Sequence, residues 1–272
     1  MSHELKAMTE FSDTHVLDAG FQSDIGCLRK SNEDSAAVVS PSDDRLRRTK
    51  GTLAVVADGM GGHTGGEVAS RIATDVLGHF YYASEADPGL ALAEGVVEAN
   101  RAIHEASLHN GELRGMGTTC TAIAIVGHSA VYAHVGDSRL YLIRSGRTYQ
   151  LSEDHSLVMQ MVRDGVLTVD EAREHPERNV ILRALGRQPE VEVSCWEKPL
   201  PVNGGDRFLL CSDGLYDLVS DDEIAAIVSA HSSREGCGRL IELARERGAP
   251  DNVSVCLVGV HDQRTAPPDK DP

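Results

Sequence analysis

Several acidic side chains stand where a run of apolar residues stops or starts, each beside a small or turn-forming residue. They are Asp34, Asp58, Asp137, Asp213 and Asp251, with Glu33 preceding the first. Strand ends can converge on one rim of a sheet, and carboxylates gathered there repel each other unless cations lie between them. Oxygen ligands favour Mg²⁺ or Mn²⁺, and two such ions about 4 Å apart can activate water for in-line attack on a phosphoryl group. If the carboxylates meet, the pattern predicts metal-assisted phosphoryl hydrolysis.

Each of these acidic positions also has a simpler interpretation, because Asp-Gly and Asp-Asn are common turn dipeptides. Two neighbouring features are equally ambiguous on their own. The planar guanidinium of Arg29 could grip two phosphate oxygens, although surface arginines are usually only solvated. The glycine-rich residues 59–66 could offer N–H groups to an anion, but they match neither a P-loop nor a dinucleotide-binding fingerprint.

The elements that would position these side chains follow from hydrophobic periodicity. Apolar runs bounded by Gly or Asp predict strands over 52–58, 118–126, 130–135, 139–144, 206–212 and 253–260. Apolar residues at steps of about four predict helices over 67–82 (Val68, Ile72, Val76, Phe80) and 88–109 (Leu92, Val96, Ala99, Ile103), and we expect others over 156–164, 221–230 and 234–247. Short links such as residues 127–129 favour antiparallel pairing. We therefore expect an α+β domain with two antiparallel sheets and helices outside them.

Composition narrows the class of partner and compartment. The chain has 272 residues and a formal net charge of −16, so nucleic acids and anionic membranes would repel it. Its six cysteines form no CxxC pair, the N-terminal residues lack the apolar region of a signal peptide, and no apolar run approaches the ~20 residues that cross a bilayer. We expect a cytoplasmic monomer with one domain over 14–261, a flexible N-terminus (1–13) and a disordered tail (262–272).

Eight short motifs resemble, in the same order, those of the metal-dependent protein phosphatases of type 2C, bacterial members in particular. They are RKSNED (29–34), VADGMGGH (56–63), MGTT (116–119), VGDSR (135–139), LSEDHS (151–156), ILRALG (181–186), LCSDGL (210–215) and PDNVS (250–254). The resemblance implies a four-layer α-β-β-α sandwich that hydrolyses phosphoserine and phosphothreonine in proteins. It also implies water activated by two Mn²⁺ or Mg²⁺ ions, and phosphorylated proteins, Ser/Thr kinases and their substrates among them, as partners in bacterial signalling.

The resemblance implies metal-binding roles for particular residues. Asp58 would bridge both ions, with the Gly59 carbonyl on the second ion. Asp213 and Asp251 would complete the ligands of the first ion. Asp137, together with Asp213, would hold a possible third ion.

Four further residues receive supporting roles from the same resemblance. Glu33 and Asp34 would act through metal-bound waters, and Arg29 would bind the phosphate of the substrate. Asn252 would support the loop that carries Asp251.

The chain departs from the family at one position. Eukaryotic members carry a histidine, proposed as the general acid, where this chain has Met60, and a thioether cannot donate a proton. His63 is shifted by three residues, so the resemblance does not assign it that role. Residues 154–187 resemble the family's mobile flap, in which His155 and Ser156 could contact substrate.

Two rival functions remain open on the sequence alone. A nucleotide-dependent enzyme that uses the glycine-rich loop would bind ATP or NAD tightly. A non-catalytic, phosphatase-like scaffold would bind metal without turnover.

Overall fold

The computed structural model describes residues 15–61 and 65–262. The strands are β1 (Val16–Asp24), β2 (Ser35–Val39), β3 (Thr52–Ala57), β4 (Gly59–Met60), β5 (Gly117–Thr118), β6 (Cys120–Val126), β7 (Ser129–Val135), β8 (Arg139–Arg144), β9 (Arg147–Gln150), β10 (Ser194–Cys195), β11 (Leu200–Pro201), β12 (Arg207–Cys211) and β13 (Val253–His261). The helices are α1 (Asp44–Thr49), α2 (Gly65–Ala83), α3 (Pro88–His109), α4 (Leu157–Arg163), α5 (Val169–Glu174), α6 (Asp213–Tyr216), α7 (Asp221–Ala230) and α8 (Ser233–Glu246). The predicted flexible N-terminus (1–13) and, apart from its first residue, the predicted tail (262–272) lie outside the described residues.

Two antiparallel sheets form the centre of the fold. One sheet has the strand order β1-β13-β12-β8-β9, and the other has the order β10-β7-β6-β3-β2, with β11 paired to β7. The predicted hairpin at residues 127–129 is confirmed, because Val126 of β6 pairs with Ser129 of β7. The first long strand lies beside the last, with Val16 opposite His261 and Asp24 opposite Val253.

Strand β3 shows why the fold has four layers. All six of its residues are buried, and successive side chains of a strand point to opposite faces. Leu53 and Val55 pack in the core beneath α2 and α3, whereas Ala54 and Val56 pack between the two sheets. Helices α7 and α8 cover the outer face of the other sheet with a separate core. The prediction of an α+β sandwich flanked by helix pairs is therefore confirmed.

The helix bounds follow from local capping chemistry. Ser220 precedes α7, and its backbone N–H donates to the Glu223 carboxylate at 3.0 Å, as in one half of a capping box. Pro88 occupies the first turn of α3, where its missing N–H costs no hydrogen bond. Within the described ranges, no helix has the length and apolar character needed to span a membrane.

Candidate metal centre and active site

The predicted acidic residues converge at one rim of the sandwich because of strand register. Asp58 directly follows β3, and Ala57 at the end of β3 pairs with Ser35, which places Asp34 beside it. On the other sheet, Cys211 pairs with both Val255 and Arg139. The chain segments that carry Asp213, Asp251 and Asp137 therefore emerge at the same end of the fold.

The carboxyl groups at this rim are coupled electrostatically. Burial, reinforced by the charges of Asp34, Asp213, Asp137 and Asp251, raises the pKa of Asp58 well above its usual range. Burial is also the largest cause of the raised pKa values of Asp34 (to about 7), Asp137 (to about 8) and Asp213 (to about 6). Carboxylates held this close require protons or cations between them.

Carboxylate oxygens are the donors that a hard divalent cation prefers, but the side chains at this rim also have hydrogen-bond partners of their own. Asp213 Oδ1 is buried without a hydrogen-bond partner among the described residues, as expected of an oxygen meant for a ligand. The Asp251 carboxylate accepts a hydrogen bond from Arg29 at 2.6 Å, and Asp34 accepts one from Ser212 at 2.8 Å. Within residues 15–61 and 65–262, no cluster of three or more Asp, Glu, His or Cys side chains is arranged so that these side chains by themselves could hold a metal ion.

Close packing of backbone around Glu33 explains two glycines of the glycine-rich loop. The Gly59 N–H donates to the Glu33 carbonyl oxygen at 3.1 Å, and a Cβ atom at Gly59 would overlap that oxygen. A Cβ atom at Gly66, in the first turn of α2, would overlap Glu33 Oε2. The Glu33 carboxylate thus lies against the positive end of α2, where a negative charge is favoured.

Asn252 organises the loop that carries Arg29, Glu33 and Asp34. Its amide nitrogen donates to the carbonyl oxygens of Ile25 (2.9 Å) and Ser31 (3.0 Å), and its amide oxygen accepts from the Glu33 N–H at 2.8 Å. The backbone N–H of Asn252 donates to Asp251 Oδ1 at 2.8 Å. One side chain therefore ties the segment around residues 25–33 to the Asp251 turn.

Two threonines hold the backbone of Asp58, and a serine contacts one of these threonines. The sequence assigned none of the three a role. The Asp58 N–H donates to Thr119 Oγ1 at 2.8 Å, and its carbonyl oxygen accepts from Thr118 Oγ1 at 2.9 Å and from the Thr119 N–H at 2.8 Å. Thr119 Oγ1 is also 2.7 Å from Ser138 Oγ. Their place in the MGTT and VGDSR motifs was the only sequence signal for these contacts.

The flap residues predicted as possible substrate contacts lie in the interior instead. His155 and Ser156 are 4% and 3% exposed. Ser156 caps α4 by accepting from the Met159 N–H at 3.4 Å, and burial lowers the pKa of His155 to about 4. This placement is at odds with a direct contact between either side chain and a substrate. His63 lies outside the described residues.

The chain is similar to bacterial phosphatases over most of its length. The family model "Protein phosphatase 2C" matches residues 34–239. The serine/threonine protein phosphatase PstP of Mycobacterium tuberculosis is 40% identical over 254 residues, which are 92% of this chain and 46% of that protein. This chain thus spans about half the length of that relative. The serine/threonine phosphatase stp of Listeria welshimeri is 36% identical over 248 residues, 89% of this chain and 95% of that protein.

Solved structures show the same similarity. A crystal structure of Mycobacterium tuberculosis PstP has a TM-score of 0.79 at 39% identity and covers 90% of this chain and 99% of that one. The PstP catalytic domain in complex with two manganese ions has a TM-score of 0.77 at 38% identity, over 92% of this chain and 100% of that one. A serine/threonine phosphatase of Staphylococcus aureus has a TM-score of 0.80 at 32% identity, over 96% and 99% of the two chains.

Proposed function

Because the chain belongs to the protein phosphatase 2C family, we propose that it hydrolyses phosphoserine and phosphothreonine in proteins with two Mn²⁺ or Mg²⁺ ions. The observation that carries the proposal is the convergence of Asp58, Asp213 and Asp251 from both sheets on one rim. Residues 14–261 would form the catalytic domain. The manganese pair in the related PstP catalytic domain supports the choice of metal.

Each acidic residue would contribute oxygen ligands to a cation. Asp58 would serve both ions, the Gly59 carbonyl the second ion, and Asp213 and Asp251 the first. Bound ions would supply an activated water and neutralise charge on the phosphoryl oxygens. The unpartnered Asp213 Oδ1 supports this assignment, because a buried carboxylate oxygen without any partner is costly.

Three more residues would complete the ligand sphere. Asp137, which is buried, would hold a third ion with Asp213. Glu33 and Asp34 would contribute through water. Asn252 would keep Glu33 and Asp251 in register through the hydrogen bonds described above.

Arg29 would bind the phosphate group of the substrate. Its side chain is 51% exposed at the mouth of the acidic rim and contacts Asp251 at 2.6 Å. A planar guanidinium can donate two parallel hydrogen bonds to a phosphoryl group. Arg29 would therefore hold the substrate phosphate at the mouth of the acidic rim, beside Asp251.

The proton for the leaving serine or threonine oxygen would come from water, because the Met60 thioether has none to give. Replacing His63 with alanine tests this assignment. An unchanged pH–rate profile excludes His63 as the general acid, whereas loss of the limb governed by that acid identifies it as the donor.

Phosphorylated Ser/Thr kinases and their targets would be the partners, and the protein would act as a monomer in the cytoplasm. Curated relatives named as serine/threonine phosphatases support the class of substrate. The six free cysteines support a reducing compartment.

Phosphate release from a phosphothreonine peptide tests the proposed function directly. We expect release with Mn²⁺ or Mg²⁺, none with EDTA, and a loss of at least 100-fold in kcat for Asp58→Asn, since preorganised charge at such a site is worth about 10²–10³ in rate. Asp44→Asn, a change at an exposed residue on α1 whose side chain is 76% exposed, is the matched control.

Other outcomes would point to a rival function. Binding of Mn²⁺ by calorimetry without any phosphate release would indicate a non-catalytic scaffold. Tight ATP or NAD binding by equilibrium dialysis would indicate a nucleotide-dependent enzyme.

A further inference from the structure

His155 joins the beginning of the flap to the turn between β7 and β8. Its backbone N–H donates to the Gly136 carbonyl oxygen at 2.8 Å, and its ring Nδ1 lies 3.1 Å from the Gly136 N–H. Both polar backbone groups of Gly136 are therefore bound by a single residue. The His155 carbonyl oxygen in turn accepts from the Leu182 N–H at 2.7 Å, so the far end of the flap is attached to the same point.

The contacts of the ring define its tautomer. A backbone N–H can only donate, so Nδ1 accepts from Gly136 and the ring proton resides on Nε2. Nε2 then donates to Ser194 Oγ on β10 at 3.0 Å. The 3.5 Å contact between Nε2 and Arg183 Nη1 joins two donors and adds no hydrogen bond in this tautomer. The ring also packs against His134, with 4.7 Å between ring centroids.

Gly136 has little freedom of its own because it is confined on its other side by Thr119. Its φ of +114° is a conformation that side-chain-bearing residues rarely adopt. A Cβ atom there would lie 2.6 Å from the Thr119 Cβ. Thr119 is the residue whose hydroxyl accepts from the Asp58 N–H. The turn is thus fixed between the Asp58 backbone and the His155 ring.

The residue that this turn presents is Asp137. Its side chain is buried, and its carbonyl oxygen accepts from the Tyr216 hydroxyl at 3.1 Å. A rotation of the Gly136 peptide would move the Asp137 carboxylate, because the two residues share a peptide bond. The His155 N–H holds the carbonyl oxygen of that shared peptide, and Nδ1 holds the N–H of the preceding peptide. Together they fix the peptides on both sides of the Gly136 Cα, so loss of the Nδ1 acceptor would free Gly136 to turn.

We propose that His155 is a positioning residue that, through its Nδ1 acceptor, sets the place of the Asp137 carboxylate and attaches the flap to it. This inference rests on the proposed function, because it takes Asp137 to be a cation ligand. It assigns His155 no contact with substrate.

Two amide substitutions test the contacts of the two ring nitrogens separately. The amide oxygen of His155→Asn can occupy the place of Nδ1 and accept from Gly136, whereas the longer His155→Gln reaches toward Ser194 and loses that acceptor. Each variant is made with and without Asp137→Asn. Mn²⁺ binding by isothermal titration calorimetry, and kcat and KM for a phosphothreonine peptide over a range of Mn²⁺ concentrations, are then compared.

We expect His155→Gln to weaken the Asp137-dependent Mn²⁺ binding event about tenfold, and His155→Asn to stay within about threefold of wild type. In the Asp137→Asn background, His155→Gln should leave the remaining Mn²⁺ binding events unchanged. A merely structural role would weaken all events in both backgrounds, and that result would overturn the proposal.

Two further outcomes would also overturn it. The first is an equal loss in His155→Asn and His155→Gln, because the acceptor would then be irrelevant. The second is unchanged Mn²⁺ binding in His155→Gln.

If thermal unfolding shows that the glutamine variant does not fold, the His155→Asn variant decides alone. A tenfold loss of Mn²⁺ binding in that variant contradicts the proposal, and retained binding supports it. A wild-type protein that binds Mn²⁺ but releases no phosphate would instead contradict the proposed function.

Discussion

At the scale of the residue, the contact between Arg29 and Asp251 joins a proposed phosphate ligand to a proposed metal ligand. The two side chains are 51% and 35% exposed, so the pair contributes little to stability, about 0–1 kcal/mol. The contact nevertheless means that Arg29 and a cation compete for the same carboxylate. Arg29 should therefore affect metal and substrate binding in opposite directions.

Replacing Arg29 with alanine tests that competition. We expect KM for a phosphothreonine peptide to rise about 10- to 100-fold, because charge-assisted hydrogen bonds are each worth about 1.5–3 kcal/mol. Mn²⁺ binding, measured by calorimetry without substrate, should tighten by up to about fivefold. Arg45→Ala, at an exposed position on α1, should change neither quantity. Weaker Mn²⁺ binding in Arg29→Ala would show that the two do not compete.

At the scale of the element, helix α2 offers a matched pair of glycines, Gly66 in its first turn and Gly78 further along the helix. A Cβ atom at Gly66 would overlap the Glu33 carboxylate, whereas one at Gly78, in the same helix, would meet nothing within 4 Å. Gly66 thus lies against a proposed metal-supporting residue, whereas Gly78 serves only the helix.

Alanine at each of the two positions should therefore have opposite effects. Gly66→Ala should weaken Mn²⁺ binding by about 10- to 100-fold, as displaced supporting groups around metals do, measured by calorimetry. Gly78→Ala should raise the free energy of unfolding by up to about 1 kcal/mol, since alanine favours the helix, and leave Mn²⁺ binding unchanged. Equal Mn²⁺ affinities in the two variants would contradict the role given to the Glu33 contact.

Sequence periodicity predicted the two long helices well, but the buried face of only one. In α3, Leu92 and Ile103 of the predicted stripe are fully buried. In α2, the predicted Ile72 and Val76 are only partly buried, while Ala73 and Leu77, which directly follow them, are fully buried. Small side chains let α2 approach its neighbours closely but add little to a hydrophobic pattern, so the predicted face was rotated by one residue.

Strand β1 was not predicted, although it spans nine residues. It is an edge strand whose only partner within the described ranges is β13, and much of it is exposed. Its sequence therefore contains Asp18 and Gln22 among apolar residues and lacks the continuous apolar run of a central strand.

The acidic residues of the site could be named from the sequence, but the groups that hold them could not. Asp58, Asp213 and Asp251 interrupt apolar runs and carry a chemical signature. Thr119 and His155 act by accepting hydrogen bonds from backbone groups distant in the chain. Only strand register determines which backbone groups those are.

At the scale of the whole molecule, the acidic rim makes stability depend on pH and metal together. The folded pKa values of Asp34 (about 7), Asp213 (about 6) and Asp137 (about 8) lie above the value near 3.9 of an unfolded chain. The metal-free folded state therefore binds more protons than the unfolded state between about pH 4 and pH 8. Stability from these protonated carboxyls is complete below pH 4 and is lost as pH rises through the folded pKa values.

Thermal unfolding with EDTA or Mn²⁺ over pH 5 to 8 measures this linkage. With EDTA, we expect Tm to fall as pH rises, because the stability contributed by these protonated carboxyls is lost. With Mn²⁺, the increase in Tm over EDTA should grow with pH, because binding requires deprotonated ligands. Asp58→Asn, which removes one charge, should flatten the EDTA curve. A metal-induced increase that stays constant across the range would contradict the linkage.

Strand β13 lies between β1 and β12 in its sheet, although β1 and β13 stand at opposite ends of the described residues. During synthesis on the ribosome, β1 must wait for more than 200 residues before its partner exists, and the Asp251 turn arrives only just ahead of that partner. Until β13 has been made, β1 therefore lacks the strand with which it pairs. A product that ends before residue 253 would leave the edges of β1 and β12 open to pairing with other chains, which makes early termination a route to aggregates.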